Sequence, residues 1–179
     1  SRVSVGKEVG KHCVPQEQIN EIIISLAKAG RKIVRLKGGD PYMFGRGGEE
    51  VLALNKHDIA FEVVPGITAA SGCSSYSGIP LTHRGLSRRV QFITGHFNDN
   101  EPLDLNWQSI ADPESTLVIY MGLSNLPLAV HSLIDAGLPA STPAAAVQNG
   151  TTQSQQRVIT TLDQLVDSIR QKRMQAPVM

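Results

Sequence analysis

The strongest constraint in this chain is an apolar run that stops abruptly in glycine. Lys32-Ile33-Val34-Arg35-Leu36 runs into Lys37-Gly38-Gly39-Asp40-Pro41, and then into Tyr42-Met43-Phe44-Gly45-Arg46-Gly47-Gly48-Glu49-Glu50. The pattern predicts a strand over 32–36, a sharp turn, and a helix near 48–55. Paired glycines at a strand end carry no Cβ, so a ligand can approach the backbone closely. Asp40 sets a carboxylate at the carboxyl end of the strand, where open α/β sheets bind their ligands. Gly-Gly-Asp-Pro also suits a plain tight turn, and those residues alone leave both readings open.

Strand and helix signals alternate along the rest of the chain. Residues 3–5 read as a strand. Residues 15–29 read as a helix, with Pro15 in its first turn and Ile19, Ile22, Ile23 and Leu26 on one face. Gly30 is a suitable stop. A short strand over 61–64 closes at Pro65-Gly66, and Thr68 is placed to cap a helix over 69–76. Residues 90–94 form a further strand. Around residues 95–113 the chain turns polar, and signals restart with a strand over 116–120. Ser124 is expected to cap a helix reaching about residue 136. A strand over 144–147 follows, then a half-exposed one over 157–160, possible as an antiparallel partner. Thr161 is expected to cap a last helix carrying Leu162, Leu165, Val166 and Ile169. The expectation is an α/β chain with a mostly parallel sheet and two α/β domains, residues 1–95 and 96–179.

Composition narrows the function. The chain has 179 residues and a formal net charge of +1, so nothing draws it as a whole to nucleic acid or to a membrane. Aromatic residues make up only 4%, too few for a base-stacking surface. No apolar stretch is long enough to span a bilayer. Cys13 and Cys73 have no paired spacing, which points to a reducing, cytoplasmic compartment and to neither a zinc site nor a disulfide framework. Asn149-Gly150-Thr151 matches a glycosylation acceptor, which carries little weight in such a compartment. The chain opens on strand-like residues without an initiating Met and closes on Ala176-Pro177-Val178-Met179, so it reads as an internal piece of a longer protein.

Several segments together carry a resemblance. They are Val5-Gly6-Lys7 through His12-Cys13-Val14-Pro15-Gln16, Leu36-Lys37-Gly38-Gly39-Asp40-Pro41, Val64-Pro65-Gly66-Ile67-Thr68-Ala69-Ala70 through Gly78-Ile79-Pro80-Leu81-Thr82-His83-Arg84, and Tyr120-Met121-Gly122-Leu123. Asn149-Gly150-Thr151 and Gln156-Arg157 add a weaker match. In this order they resemble the uroporphyrinogen-III C-methyltransferases of the tetrapyrrole methylase family, including the methylase module of siroheme synthase-type proteins. The resemblance implies two α/β domains with a cofactor cleft between them, a homodimer, and S-adenosylmethionine as methyl donor with no metal. It implies that uroporphyrinogen III is methylated twice, through precorrin-1, to precorrin-2, for siroheme and/or cobalamin.

The resemblance also assigns residues. Gly38, Gly39, Asp40, Met43, Thr68, Ala69, Met121 and Gly150 would bind the cofactor. Free amide donors at the helix start by Thr68 and Ala69 suit that role. Met121 would pack on adenine or ribose, although its residue type suits core filling equally well. Lys7 would donate a proton. The substrate is a polycarboxylate, and a chain of charge +1 must gather its positive charge locally. His83-Arg84-Gly85-Leu86-Ser87-Arg88-Arg89 does so, with His83, Arg84 and Arg88 as substrate-binding candidates and arginine forks suited to carboxylates. Lys7, His12 and Arg46 are further candidates, and a solvated basic loop is the competing reading.

Some features of the family are missing from this stretch. They are a glycine- and proline-rich loop after the first strand, an aspartate upstream of Lys7 assigned a proton-acceptor role, and the last strands of the second domain. The isolated piece is therefore expected to be marginally stable and inactive. The competing functions are another precorrin methylase or a relative acting on diphthamide or ribosomal RNA, an inactive fragment that binds at most a ligand, and a dinucleotide binder. The last lacks a G-x-G-x-x-G turn.

Overall fold

The computed structural model describes residues 2–6, 14–95 and 104–179. The chain is mixed α/β and forms two compact units, Ser1–Gly66 and Ile67–Met179. The boundary expected between residues 95 and 96 falls inside the second unit, because strands on either side of it pair with each other.

The first unit holds two helices, α1 (Gln16–Lys28) and α2 (Gly47–Asn55). Helix α1 buries Ile19 and ends as the sequence requires. The N–H of Gly30, at φ 72°, bonds Ala27 O and that of Arg31 bonds Leu26 O. Helix α2 starts after Arg46 and carries Glu49 and Glu50 in its first turn, where the helix dipole favours acids.

The strands expected over 3–5, 32–36 and 61–64 are not formed, since these residues join no ladder among the described residues. The local pattern is nevertheless strand-like: exposure alternates from Ile33 to Lys37, with Val34 85% and Leu36 84% exposed. A strand is defined by its partner, and no neighbouring backbone among the described residues offers one.

In the second unit, α3 (Ala69–Ser77) precedes β1 (Arg89–Thr94), which pairs in parallel with β2 (Ser115–Tyr120) from Arg89↔Ser115 to Thr94↔Tyr120. Helices α4 (Trp107–Ile110) and α5 (Leu126–Asp135) flank β2 in sequence. Strands β3 (Pro143–Gln148) and β4 (Gln156–Thr161) pair antiparallel, and α6 (Leu165–Gln171) follows. In place of the mostly parallel sheet, the described residues form one parallel and one antiparallel pair.

Two apolar clusters hold this unit. Ile110, Val130, Leu133, Leu138 and Leu162 form one, and Ala146, Val158, Leu165, Ile169 and Met174 the other. Burying each larger side chain contributes roughly 1.5–3 kcal/mol. Two expected caps are displaced. Helix α5 begins after Asn125, whose Nδ2 donates to Gly95 O at 2.8 Å, rather than after Ser124. Thr161 ends β4, and α6 begins after Gln164, which releases Leu162 into the first cluster. No helix among the described residues is long and apolar enough to cross a membrane.

Candidate functional site

In the first unit, the Gly-Gly-Asp loop is built around Asp40. Its Oδ1 accepts the Tyr42 N–H at 2.9 Å and its Oδ2 accepts the Gly66 N–H at 3.1 Å. The Gly66 donor first, then Tyr42, holds this carboxyl below the usual aspartate range. Gly39 adopts φ 76°, a conformation that a side chain would strain. A Cβ on Gly66 would overlap the Gly39 carbonyl, so this close approach of backbones requires glycine. A Cβ on Gly38 would meet nothing within 4 Å, so open space faces that backbone. The candidates Gly38, Gly39 and Asp40 thus form one clasped loop. Met43, half-buried, is bound into it through its N–H to Asp40 O at 3.3 Å.

Behind the loop lies a feature the sequence reading missed. Glu50 is 7% exposed and accepts from Lys37 Nζ at 3.0 and 3.1 Å, Arg35 Nε at 3.1 Å and Gln16 Nε2 at 3.2 Å. Burial pushes this carboxyl up, but the donors from Lys37, Gln16 and Arg35 outweigh it and hold it below the ordinary glutamate value. An acid in a first helical turn is too common a pattern to announce such a cluster.

In the second unit, the candidates converge on α3. Thr68 is the N-cap residue as expected, yet its side chain does not cap. Its Oγ1 lies 2.5 Å from Tyr120 Oη, which also accepts the Ala70 N–H at 3.1 Å. Tyr120 is buried at the end of β2, edge-on to Phe92 with ring centroids 6.1 Å apart. The next residue, Met121, has φ 53° and is 51% exposed, so it is not core filling. Gly150 packs on the middle of α3: a Cβ there would overlap Cys73 Sγ, and one on Gly72 would stand 2.9 Å from Thr151 Cγ2. Burial pushes the Cys73 thiol up. At the far end of α3, Arg157 Nη1 donates to Ser77 O and Gln155 Nε2 to Tyr76 O at 3.2 Å. Thr68 and Ala69 start α3, Gly150 packs on its middle, and Met121 directly follows Tyr120, whose hydroxyl bonds the first turn of that helix.

The basic segment is a tight turn. His83 and Ser87 exchange backbone hydrogen bonds at 3.0 Å, and His83 Nδ1 lies 2.9 Å from Arg84 O. Arg88 pairs with Glu114 at 3.4 Å, and Arg89 pairs with Asp112. Arg84 is exposed and forms no ion pair with the described residues. Exposed pairs of this kind are worth about 0–1 kcal/mol, so Arg88 is held only loosely. Arg46 is engaged by Glu49 at 2.6 Å. Lys7 and His12 lie outside the described residues.

The model for Tetrapyrrole (Corrin/Porphyrin) Methylases matches residues 2–166. A siroheme synthase from Stutzerimonas stutzeri is 53% identical over 178 residues, which are 99% of this chain and 38% of that protein. The chain therefore spans less than half the length of that relative. Among solved structures, uroporphyrin-III C-methyltransferase from Thermus thermophilus, complexed with S-adenosylhomocysteine, is 34% identical with a TM-score of 0.73, covering 85% of this chain and 66% of that one. Cobalt precorrin-4 methyltransferase shares the fold, with a TM-score of 0.80 at 22% identity, over 94% of this chain and 70% of that one. With that match running from residue 2 to residue 166, the chain belongs to the tetrapyrrole (corrin/porphyrin) methylase family.

Proposed function

We propose that the whole protein is an S-adenosylmethionine-dependent C-methyltransferase that methylates uroporphyrinogen III twice, through precorrin-1, to give precorrin-2 for siroheme and/or cobalamin. The likeness to a siroheme synthase over 99% of the chain carries this reading. Gly38, Gly39, Asp40, Met43, Thr68, Ala69, Met121 and Gly150 bind the methyl donor. The residues present suit it: open space faces the Gly38 backbone, Met121 offers an exposed apolar side chain, and the start of α3 offers the Ala69 and Ser71 amides beside the Ala70 amide that Tyr120 holds.

S-adenosylmethionine, when bound, supplies a methyl group activated on a sulfonium, and an electron-rich pyrrole carbon is the nucleophile. The protein's own contribution is then positioning and exclusion of water. Arg84, Arg88 and His83 bind substrate carboxylates, and Lys7 donates a proton. The protein works as a homodimer in the cytoplasm.

The test uses the full-length protein, with calorimetry for S-adenosylhomocysteine and a labelled-methyl assay on uroporphyrinogen III. Gly39→Val should abolish cofactor binding while the circular dichroism stays native, because valine is strained at φ 76°. Arg84→Ala should raise KM for the tetrapyrrole about tenfold and leave cofactor affinity nearly unchanged. Absence of methyl transfer by the wild type would overturn the reading. Loss of cofactor affinity in Arg84→Ala would show that the basic turn serves the other ligand.

A further inference from the structure

We infer that Tyr120 is a positioning residue for the methyl-donor site, its hydroxyl fixing Thr68 and the first turn of α3 to the end of β2 that leads into Met121. The inference rests on the proposed cofactor role of those residues and extends it to one that acts through them.

The first turn of a helix presents N–H groups that have no acceptor within the helix. A threonine at the N-cap normally accepts one of them with its own hydroxyl. Here Thr68 does not. Tyr120 Oη accepts the Ala70 N–H in its place and sits 2.5 Å from Thr68 Oγ1. A phenol has one proton to give and can also accept, so it can serve both partners at once. The substitution relieves the Thr68 hydroxyl of the capping role that its position would normally impose.

The placement of Tyr120 matters as much as its bonds. The residue is 7% exposed, at the last position of β2, where it pairs with Thr94, and its N-terminal neighbours are fixed by the β1 ladder. Its carbonyl accepts the Gly95 N–H at 2.7 Å. The chain then turns at once into Met121, whose φ of 53° carries its side chain away from the strand and into exposure. One side chain therefore links the rigid end of a strand, the start of a helix and the exposed methionine. Phenylalanine would fill the same edge-on contact with Phe92. A buried hydroxyl costs free energy unless it is bonded, so what distinguishes tyrosine here is the pair of bonds to the turn at 68–70.

The test is Tyr120→Phe in the full-length protein, beside Thr68→Val, the double variant, and Val130→Ala as a core change remote from these bonds. Calorimetry with S-adenosylhomocysteine, KM for uroporphyrinogen III and thermal midpoint are measured for each. We expect Tyr120→Phe to weaken cofactor binding about five- to tenfold with the tetrapyrrole KM within about twofold. The double variant should lose less than the two single losses combined, because both remove the bond between Thr68 and Tyr120. Val130→Ala should lower the midpoint at least as far and leave cofactor affinity alone. Tyr120→Phe that binds cofactor as tightly as wild type, or that loses affinity only in step with stability as Val130→Ala does, would overturn the inference. If wild type itself fails to bind S-adenosylhomocysteine, the cofactor reading falls first, which is a separate result.

Discussion

At Glu50, a nearly buried carboxylate faces two cations, Lys37 with a side chain 12% exposed and Arg35 30% exposed. Lys37 immediately precedes Gly38, so the cluster anchors the backbone on which the glycine loop hangs. Its depressed pKa fixes the sign of the pH effect. The stability it contributes is fully present above the unfolded value of about 4.3 and is lost as pH falls through the folded value. Glu50→Gln keeps the shape but leaves both cations without a counter-charge. We expect it to cost about 1–3 kcal/mol at pH 7 and to flatten the fall in stability on acidification, measured by urea titration across pH 3–7. An unchanged pH slope would remove Glu50 from that role. Residues of this kind are invisible in a sequence, because their chemistry depends on which partners arrive from 13 to 34 positions away. Gly39 and Asp40 were legible because a turn forces its own residue types.

Helix α3 shows how an element acquires meaning from what is packed on it. Its small residues, Ala70, Gly72 and Cys73, are buried and admit the turn at 149–151. Gly150→Ala should therefore lower stability by about 1–3 kcal/mol through overlap with Cys73 Sγ. Adding Cys73→Ala should recover most of that loss, since the two Cβ atoms would then stand 3.5 Å apart, an ordinary contact. Thermal unfolding of the single and double variants checks this, and additive losses would show that the close packing is not what constrains Gly150. The helix was legible from Thr68 and a run of small residues. That Tyr120, Gly150 and Arg157 would meet it was not legible, because no local pattern encodes a contact 50 to 80 residues distant.

For the whole molecule, the two units differ in how their backbones are satisfied. The β1–β2 and β3–β4 ladders close in the second unit, whereas residues 32–37 and 60–65 have no backbone acceptor among the described residues for their N–H groups. Amide exchange in the 179-residue chain should therefore be about a hundredfold or more faster at 33–37 and 60–64 than in β1 and β2. Equal protection would mean that those residues have ladder partners after all. The sequence by itself determined the mixed α/β character, the helices α1, α2 and α5, the strands β1 to β4 and the turn chemistry at Gly39. Periodicity and glycine placement act over a few residues, and the chain carries them wherever it goes. Only the tertiary structure decided which strand-like runs found partners, which cap residues were used, and that a tyrosine hydroxyl, a buried glutamate and a glycine against Cys73 hold the candidate loops. Those depend on separation in space, which the sequence sets only through the fold as a whole.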